Sequence, residues 1–289
     1  MNDKSSISPK TQFCALIGNP VGHSMSPAIH NAAFVATGQD FVYVACKVED
    51  VKNALAGMRA LGNFRGMSVT IPHKIEVMQH VDEIDEVDKA IGSINTVICE
   101  EGRLIGFGTD GPGALKALTD AGVAPAGKRV LMIGCGGAAR AIAFTLAQQT
   151  GLAELILLDI NRELLDGLGA DLRAGTGASI STATMNPEEL ASAMERADII
   201  IHCTPVGMHP KEDASLVPPE LFRAGQVVFD VVYNPLETKL LKEAKAHGCQ
   251  VISGVEMFIN QAVLQFERFT GVDAPYEVMR RVVLENLKQ

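Results

Sequence analysis

The sequence predicts a two-domain α/β protein, with an N-terminal open α/β domain followed by a doubly wound parallel sheet. Apolar runs typical of strands alternate with helical stretches along nearly the whole chain. A run at residues 130–142 breaks into glycines and resumes with small residues, which indicates a strand, a tight turn and a helix. With 289 residues, 47% of them hydrophobic, the chain is long enough for two hydrophobic cores.

Strands of the first domain are predicted at residues 13–17, 41–48 and 66–70, followed by a hairpin at residues 95–107. The segment Ser26-Pro27 supplies an N-cap serine and a first-turn proline, and it predicts a helix that ends at Gly38. A capped helix that begins at Asp50 is predicted at residues 50–61, and two short charged helices are predicted after Lys74. This alternation favours an open α/β sheet.

The second domain alternates more regularly. A helix at residues 111–122 precedes six predicted strands, and the helices after the last strand are predicted at residues 254–270 and 274–289. We therefore expect a substrate-binding domain at residues 1–110, completed by residues 255–289, and a Rossmann-type nucleotide-binding domain at residues 111–254. The predicted strands lie near residues 129–134, 154–159, 179–184, 198–202, 226–231 and 250–252.

The glycine-interrupted run has the properties of a dinucleotide site. Gly134 lets the chain turn, and Gly136 has no side chain to keep a pyrophosphate from the backbone. The amides of Gly137 and Ala138 begin a helix whose positive end favours phosphate. Asp159 closes the next strand, where a carboxylate is expected to reach the ribose hydroxyls. The alternative is a glycine turn that only packs a helix against a sheet.

Composition excludes several classes of partner. The net charge of −9 without a basic cluster argues against nucleic acid and anionic membranes. No apolar run approaches the ~20 residues of a membrane span, and residues 1–10 are too polar for a signal peptide, so we expect a soluble cytoplasmic protein. The six scattered cysteines, and the histidines at positions 23, 30 and 73, lack metal-ligand spacing, so reduced thiols, structural histidines and no metal are expected.

Small polar residues follow the apolar runs of the first domain. Such groups suit a polyhydroxylated acid better than an apolar ligand. A lysine and an aspartate among them could exchange the proton that leaves an alcohol during oxidation, although the same pair would also fit a surface salt bridge. The residues are Ser24, Ser26, Ser68, Thr70, Lys74, Asn95 and Asp110.

The chain carries a series of motifs in order: GNPVGHSMSP at residues 18–27 with His30 and Asn31, SVTIPHK at 68–74, GSINT at 92–96, GFGTD at 106–110, the glycine loop, Asn161-Arg162, and residues 257–261. Taken in this order, the motifs resemble the shikimate dehydrogenase superfamily. The resemblance implies a two-domain enzyme that oxidises shikimate, or the related quinate, to the 3-dehydro acid with a nicotinamide cofactor. The partner is then a polyhydroxylated cyclic carboxylate, and the protein a monomer or homodimer.

The resemblance also implies residue roles. Lys74 matches the catalytic acid/base and Asp110 the carboxylate that orients it. Ser24 and Ser26 would hold the substrate carboxylate, and Tyr233 would lie between substrate and nicotinamide. Hydroxyl contacts would come from Thr70, Asn95, Asp110 and Gln261, and cofactor contacts from Asn161, Arg162, Thr204, Val231, Gly254 and Met257. Ser68, which stands in the same motif as Thr70, is a further candidate for substrate binding.

Two departures from the family leave the substrate open. The family usually has asparagine where this chain has Ser68 and Gly108, so each position is expected to leave room or an unmet hydrogen bond. Shikimate, quinate and an amino-substituted relative all remain candidates. NAD is favoured and NADP possible, because Asp159 repels a 2′-phosphate whereas Arg162 could pair with one.

Two other functional classes are alternatives. One is a catalytically silent regulator that binds the metabolite, but such a protein would not need both Lys74 and Asp110. The other is a two-domain dehydrogenase acting on a folate or an amino acid, against which the motifs at residues 24–27 and 70–74 argue.

Overall fold

The computed structural model describes residues 7–288, which form two compact units. The first unit comprises the residues up to Thr109 together with those from Gln261 onward, and the second comprises Asp110–Asn260. Residues 1–6 of the polar N-terminal stretch, and Gln289 at the end of the last predicted helix, lie outside the described residues.

The first unit is built on a mixed six-stranded sheet in the order β2-β1-β3-β5-β6-β4. Strands β1, β2 and β3 are parallel, whereas β3, β5 and β6 are joined antiparallel. The parallel part brings the carboxyl ends of β1 and β3 to one edge. The strands are β1 (Gln12–Gly18), β2 (Phe41–Lys47), β3 (Phe64–Val69), β4 (Glu83–Ile84), β5 (Thr96–Glu100) and β6 (Arg103–Phe107).

The helices of this unit largely match the predictions. α1 (Ser26–Thr37) ends at Gly38, whose φ of 68° is left-handed, and Asp50 caps α2 (Val51–Arg59) by accepting from the Asn53 amide. The N-cap prediction for Ser26 was wrong, because Ser26 is the first helical residue and Met25 precedes it without a side-chain cap. A 3₁₀ helix (Glu76–His80) and α3 (Glu86–Ile91) follow, and the two-residue β4 was not predicted.

The second unit contains a six-stranded parallel sheet in the order β12-β11-β10-β7-β8-β9. The strand order reverses between β7 and β10, which confirms the doubly wound, Rossmann-type prediction. Ligands of such sheets bind beyond the carboxyl ends of the strands at this reversal. The strands are β7 (Arg129–Ile133), β8 (Glu154–Asp159), β9 (Ile180–Thr184), β10 (Ile199–His202), β11 (Val227–Asp230) and β12 (Gln250–Ser253).

Helices cover the strands of the second unit. The last two helices of the chain begin close to their predicted starts, and the division between the units falls within the first of them. No helix within residues 7–288 is long and apolar enough to cross a membrane. The helices of the second unit are α4 (Asp110–Asp120), α5 (Gly137–Gln149), α6 (Arg162–Gly175), α7 (Pro187–Arg196) and α8 (Lys239–Ala246). α9 (Gly254–Thr270) runs across the division, and α10 (Tyr276–Asn286) belongs to the first unit.

Candidate substrate and cofactor sites

Three loops of the first unit meet at one edge of its sheet. The loops after β1 and β3 run side by side, because the Asn19 amide donates to the Ile71 carbonyl (3.0 Å). The loop after β3 is tied to the segment before β5 by the Ile94 amide, which donates to the Lys74 carbonyl (3.0 Å). The polar residues predicted on these loops therefore share one edge, where parallel strands end.

The two serines lie where the chain enters α1. Ser24 is half-buried, and its hydroxyl accepts from the Ser26 amide (3.2 Å), whereas Ser26 is buried. Both hydroxyls stand at the positive end of a twelve-residue helix. This mouth of the helix has the donors and the dipole that a carboxylate needs.

Thr70 and Lys74 follow β3, and both are half-buried. The methyl group of Thr70 packs on Gly18, where a Cβ would lie only 2.4 Å from it, so a glycine is required at the end of β1. His73, between them, is buried and its Nε2 lies 2.9 Å from the Val48 carbonyl. The loop that carries Lys74 is therefore fixed by packing on both sides.

Ser68 belongs to a buried hydrogen-bond network. Its hydroxyl accepts from the Tyr43 hydroxyl (2.7 Å) and donates to Oε1 of Gln265 on α9 (2.8 Å). Gln265 in turn donates from Nε2 to the Thr96 hydroxyl (3.0 Å). Burial raises the pKa of Tyr43, an effect that its hydrogen bonds with Ser68 and Ser26 reduce. Tyr43 and Gln265 were not predicted, since neither is in a motif.

Asn95 organises the chain next to the same network. Its Oδ1 accepts from the Thr109 amide (2.8 Å) and the Thr96 hydroxyl (3.0 Å), and its Nδ2 donates to the Thr109 hydroxyl (3.0 Å). All three residues are buried. Asn95 therefore holds the chain immediately before Asp110, which is half-buried and begins α4 in the second unit. Gln261, half-buried, lies on the part of α9 that belongs to the first unit.

The positions where the family has asparagine and this chain has Ser68 and Gly108 leave neither empty space nor unmet hydrogen bonds. Ser68 is bonded on both sides, and the expected room at Gly108 is taken by Asp88. Oδ2 of Asp88 accepts from the Gly108 amide (2.8 Å), and Oδ1 lies 2.3 Å from where a Cβ of residue 108 would stand. The expectation of empty space or unmet hydrogen bonds at these positions was therefore wrong.

The glycine loop of the second unit has the geometry predicted for a pyrophosphate site. Gly134 has a φ of 101°, and a Cβ there would lie 2.9 Å from the Thr204 methyl group, so only glycine fits. Nothing lies within 4 Å of the Cβ positions of Gly136 and Gly137. The backbone at the start of α5, where Ala138 follows, is thus open to a phosphate.

Asp159 ties this loop to the next strand. Its Oδ2 accepts from the Cys135 amide (2.6 Å) and its Oδ1 from the Asn161 amide (2.7 Å). Asn161 caps α6 by accepting from the Leu164 amide (3.2 Å). The half-buried carboxylate therefore joins the glycine loop to the start of α6.

The surface beyond Asp159 is acidic. Arg162 is exposed, and its Nε lies 3.6 Å from a carboxylate oxygen of Asp166. Residues 159–166 carry three carboxylates, Glu163 among them, and one guanidinium. The ionised side chains of residues 159–166 therefore sum to a net negative charge, and Arg162 is paired with Asp166.

A buried histidine and aspartate support Thr204. Nδ1 of His202 lies 2.9 Å from Oδ1 of Asp230, and Nε2 lies 2.6 Å from the Thr204 hydroxyl, whose oxygen accepts from the Val206 amide. Asp230 further accepts from the Thr238 hydroxyl (2.6 Å). His202 and Asp230 close neighbouring strands in register, a signal that the sequence analysis missed.

The remaining predicted cofactor residues lie around the start of α9. A Cβ on Gly254 would lie 2.3 Å from the Val231 carbonyl oxygen, so this glycine allows the helix to approach the end of β11. Met257 is buried. Tyr233, 38% exposed, stacks on the Phe258 ring with centroids 4.7 Å apart.

The histidine and cysteine positions show no metal-binding arrangement. Within the described part of the chain, no three histidine, cysteine or acidic side chains are grouped to hold a metal ion. His30 is stacked on Tyr43, and burial lowers its pKa to about 3, so it is neutral at physiological pH. All six cysteines are free thiols.

Two family models match the chain. The shikimate dehydrogenase substrate binding domain matches residues 16–97, and the shikimate 5′-dehydrogenase C-terminal domain matches residues 254–284. A shikimate dehydrogenase (NADP(+)) of Moorella thermoacetica is 44% identical, with 96% of this chain and 95% of that protein covered.

Solved structures show the same likeness. Shikimate 5-dehydrogenase from Listeria monocytogenes in complex with shikimate and NAD has a TM-score of 0.91 at 31% identity, covering 96% of this chain and 97% of that one. Quinate dehydrogenase from Corynebacterium glutamicum in complex with NAD has a TM-score of 0.88 at 29% identity, covering 95% and 99%. The similarity covers 95% or more of the chain and so includes both units, and the chain therefore belongs to the shikimate dehydrogenase family of NAD(P)-dependent oxidoreductases.

Proposed function

We propose that this protein reversibly oxidises shikimate to the 3-dehydro acid. The observation that carries the proposal is the shared edge of the first unit, where Ser24, Thr70, Lys74 and Asn95 lie on loops tied to one another. A helix mouth with hydroxyls suits a carboxylate, and the remaining groups suit ring hydroxyls. Shikimate offers both on one ring.

Within this function, Lys74 takes the proton that leaves the substrate hydroxyl, and Asp110 orients the ammonium group. The substrate carboxylate is held by Ser24 and Ser26, and ring hydroxyls by Thr70, Asn95 and Gln261. Ser68 supports this set through Gln265 rather than bonding the ring, because its hydroxyl is committed to two buried partners.

The open backbone of the glycine loop fits the pyrophosphate of a nicotinamide dinucleotide. When bound, that cofactor supplies the hydride acceptor. Gly134, Gly136, Gly137 and Ala138 form its phosphate cradle. Thr204, Val231, Gly254, Met257 and Tyr233 form the remainder of the proposed site, with Tyr233 beside the nicotinamide.

A substrate panel tests the proposal. We expect reduction of the cofactor with shikimate, and a lower kcat/KM with quinate and aminoshikimate. A higher kcat/KM for either alternative would reassign the substrate. If no acid of the panel is oxidised yet calorimetry shows shikimate binding, the protein is a metabolite-binding regulator.

We further propose that NAD is preferred over NADP. The curated relative from Moorella thermoacetica is named for NADP, whereas the Listeria monocytogenes structure holds NAD, so the comparisons support NAD(P) only. In this chain Asp159 is fixed by two backbone amides, and Arg162 is paired with Asp166. A fixed carboxylate accepts from a ribose diol and repels a 2′-phosphate.

Two substitutions should raise the use of NADP. Asp159→Ser removes the repelling charge, and we expect the NADP to NAD ratio of kcat/KM to rise on the order of tenfold, equivalent to ~1.4 kcal/mol. Asp166→Asn releases Arg162 without touching the glycine loop, and should raise the same ratio by less. Asp171→Asn, at the partner of Arg140, is the matched control and should change the ratio little. A wild-type preference for NADP would contradict the proposal.

A further inference from the structure

Residues 107–109, the last three of the N-terminal part of the first unit, each contact a different side chain. Arg268 of α9 lies over the Phe107 ring (3.7 Å to the centroid), Asp88 of α3 accepts from the Gly108 amide, and Asn95 accepts from the Thr109 amide. We call this arrangement the 107–109 clamp. The next residue is Asp110.

Asp88 is a member of the clamp that lies outside the sequence motifs. Its side chain is 5% exposed, and it reaches Gly108 only because residue 108 has no Cβ. A buried carboxylate costs free energy unless it makes strong hydrogen bonds. A hydrogen bond from an amide to an ionised carboxylate is roughly twice as strong as one to a neutral acceptor.

We propose that Asp88 is a positioning residue for the dehydrogenase reaction: its ionised carboxylate fixes the Gly108–Thr109 peptide and, through the chain, the start of α4 that carries Asp110. The proposal rests on the proposed function only in its effect on turnover. The clamp itself is a property of the first unit.

The charges around Asp88 make this positioning dependent on pH. Burial raises its pKa to about 6, Asp85 at the cap of α3 adds to the rise, and the Gly108 hydrogen bond and Arg268 oppose it. Below this pKa the protonated acid accepts more weakly from Gly108. The ionised form is therefore the competent form, and activity should fall on the acid side of about pH 6.

Stability should depend on pH in the opposite direction. The folded-state pKa of Asp88 is raised above its usual 3.8, so its protonated form favours folding, and this contribution is lost as pH rises through about 6. Ionisation at Asp88 thus raises turnover while it lowers stability. A residue with a purely structural role would change both in the same direction.

The experiment uses the full chain, four single variants and one double variant. We expect Asp88→Asn to lower kcat at pH 8 by roughly threefold to tenfold and to remove the acid limb near pH 6, while its Tm at pH 8 rises by about 2 to 4 °C. The difference in Tm between Asp88→Asn and the wild type should vanish below pH 3.8. The matched control is Glu86→Gln, an exposed acid on the same helix, which should keep the wild-type profile.

Gly108→Ala tests the geometry. Its methyl group would collide with the Asp88 carboxylate, so kcat should fall by about tenfold to a hundredfold. The kcat of Asp88→Ala should fall by a similar factor, because it lacks the carboxylate that accepts from the Gly108 amide. The double variant Asp88→Ala/Gly108→Ala should have a kcat no lower than that of Gly108→Ala, because the carboxylate with which the methyl group collides is gone. Fully additive losses, or an unchanged acid limb in Asp88→Asn, would overturn the proposal.

An NMR titration separates this inference from the proposed function. The Gly108 amide proton should shift with a midpoint near pH 6 in the wild type and not in Asp88→Asn, whatever the substrate. A wild type without shikimate oxidation but with this titration would refute only the proposed function. Absence of the titration in an active wild type would refute only the clamp.

Discussion

Replacing Lys74 by alanine is expected to lower kcat by about 10² to 10⁴-fold at saturating substrate. The reason is that Lys74 is the ammonium group on the edge where the substrate hydroxyls are proposed to lie, and the loop that carries it is held by the bond from the Ile94 amide. Affinity for the cofactor should stay within about twofold, because the glycine loop lies in the second unit.

Steady-state kinetics and cofactor fluorescence titration measure both quantities. Lys89→Ala removes an exposed lysine of the first unit, paired with Glu86, and serves as the matched control. It should keep wild-type kcat, since exposed ion pairs contribute little. A Lys74→Ala variant with more than a tenth of wild-type kcat would show that another group transfers the proton.

Local patterns were sufficient where the physical cause is local. The turn at Gly134 and the cap at Asp50 were predicted because left-handed or capped backbone restricts which residues fit. The doubly wound sheet of the second unit was predicted from the regular alternation of strands and helices, since right-handed crossovers leave few topologies. The two-residue strand β4 escaped because it has too few residues to show a period.

The contacts missed by sequence reasoning join residues far apart in the chain. Asp88 and Gly108 are 20 residues apart, and only the packing of α3 against the end of β6 shows that one side chain fills the space at the other. Ser68 was predicted to bind the substrate because Thr70 and Lys74, in the same motif, were assigned to the substrate site. Its partner Gln265 lies 197 residues away, on a helix that no local pattern links to β3.

The register of the second sheet pairs His202 with Asp230, and we expect the loss of this pair to have a large effect on stability. His202 and Asp230 are 1% and 0% exposed, and the carboxylate can only accept, so Nδ1 of the histidine carries the proton between them. Nε2 then accepts from the Thr204 hydroxyl, whose oxygen accepts from the Val206 amide. Every polar atom of this group has a partner, which is the condition for burying a charge.

His202→Leu should therefore destabilise the protein by about 3 kcal/mol, because Asp230 keeps only the Thr238 hydroxyl and the Val232 amide as donors. The freed Thr204 should also raise the KM for the cofactor. The chain offers a matched control in His209, which is exposed and lies 2.8 Å from Glu212. His209→Leu should cost less than about 1 kcal/mol. Urea unfolding of both variants measures the difference, and equal losses would mean that burial of the His202 pair contributes nothing.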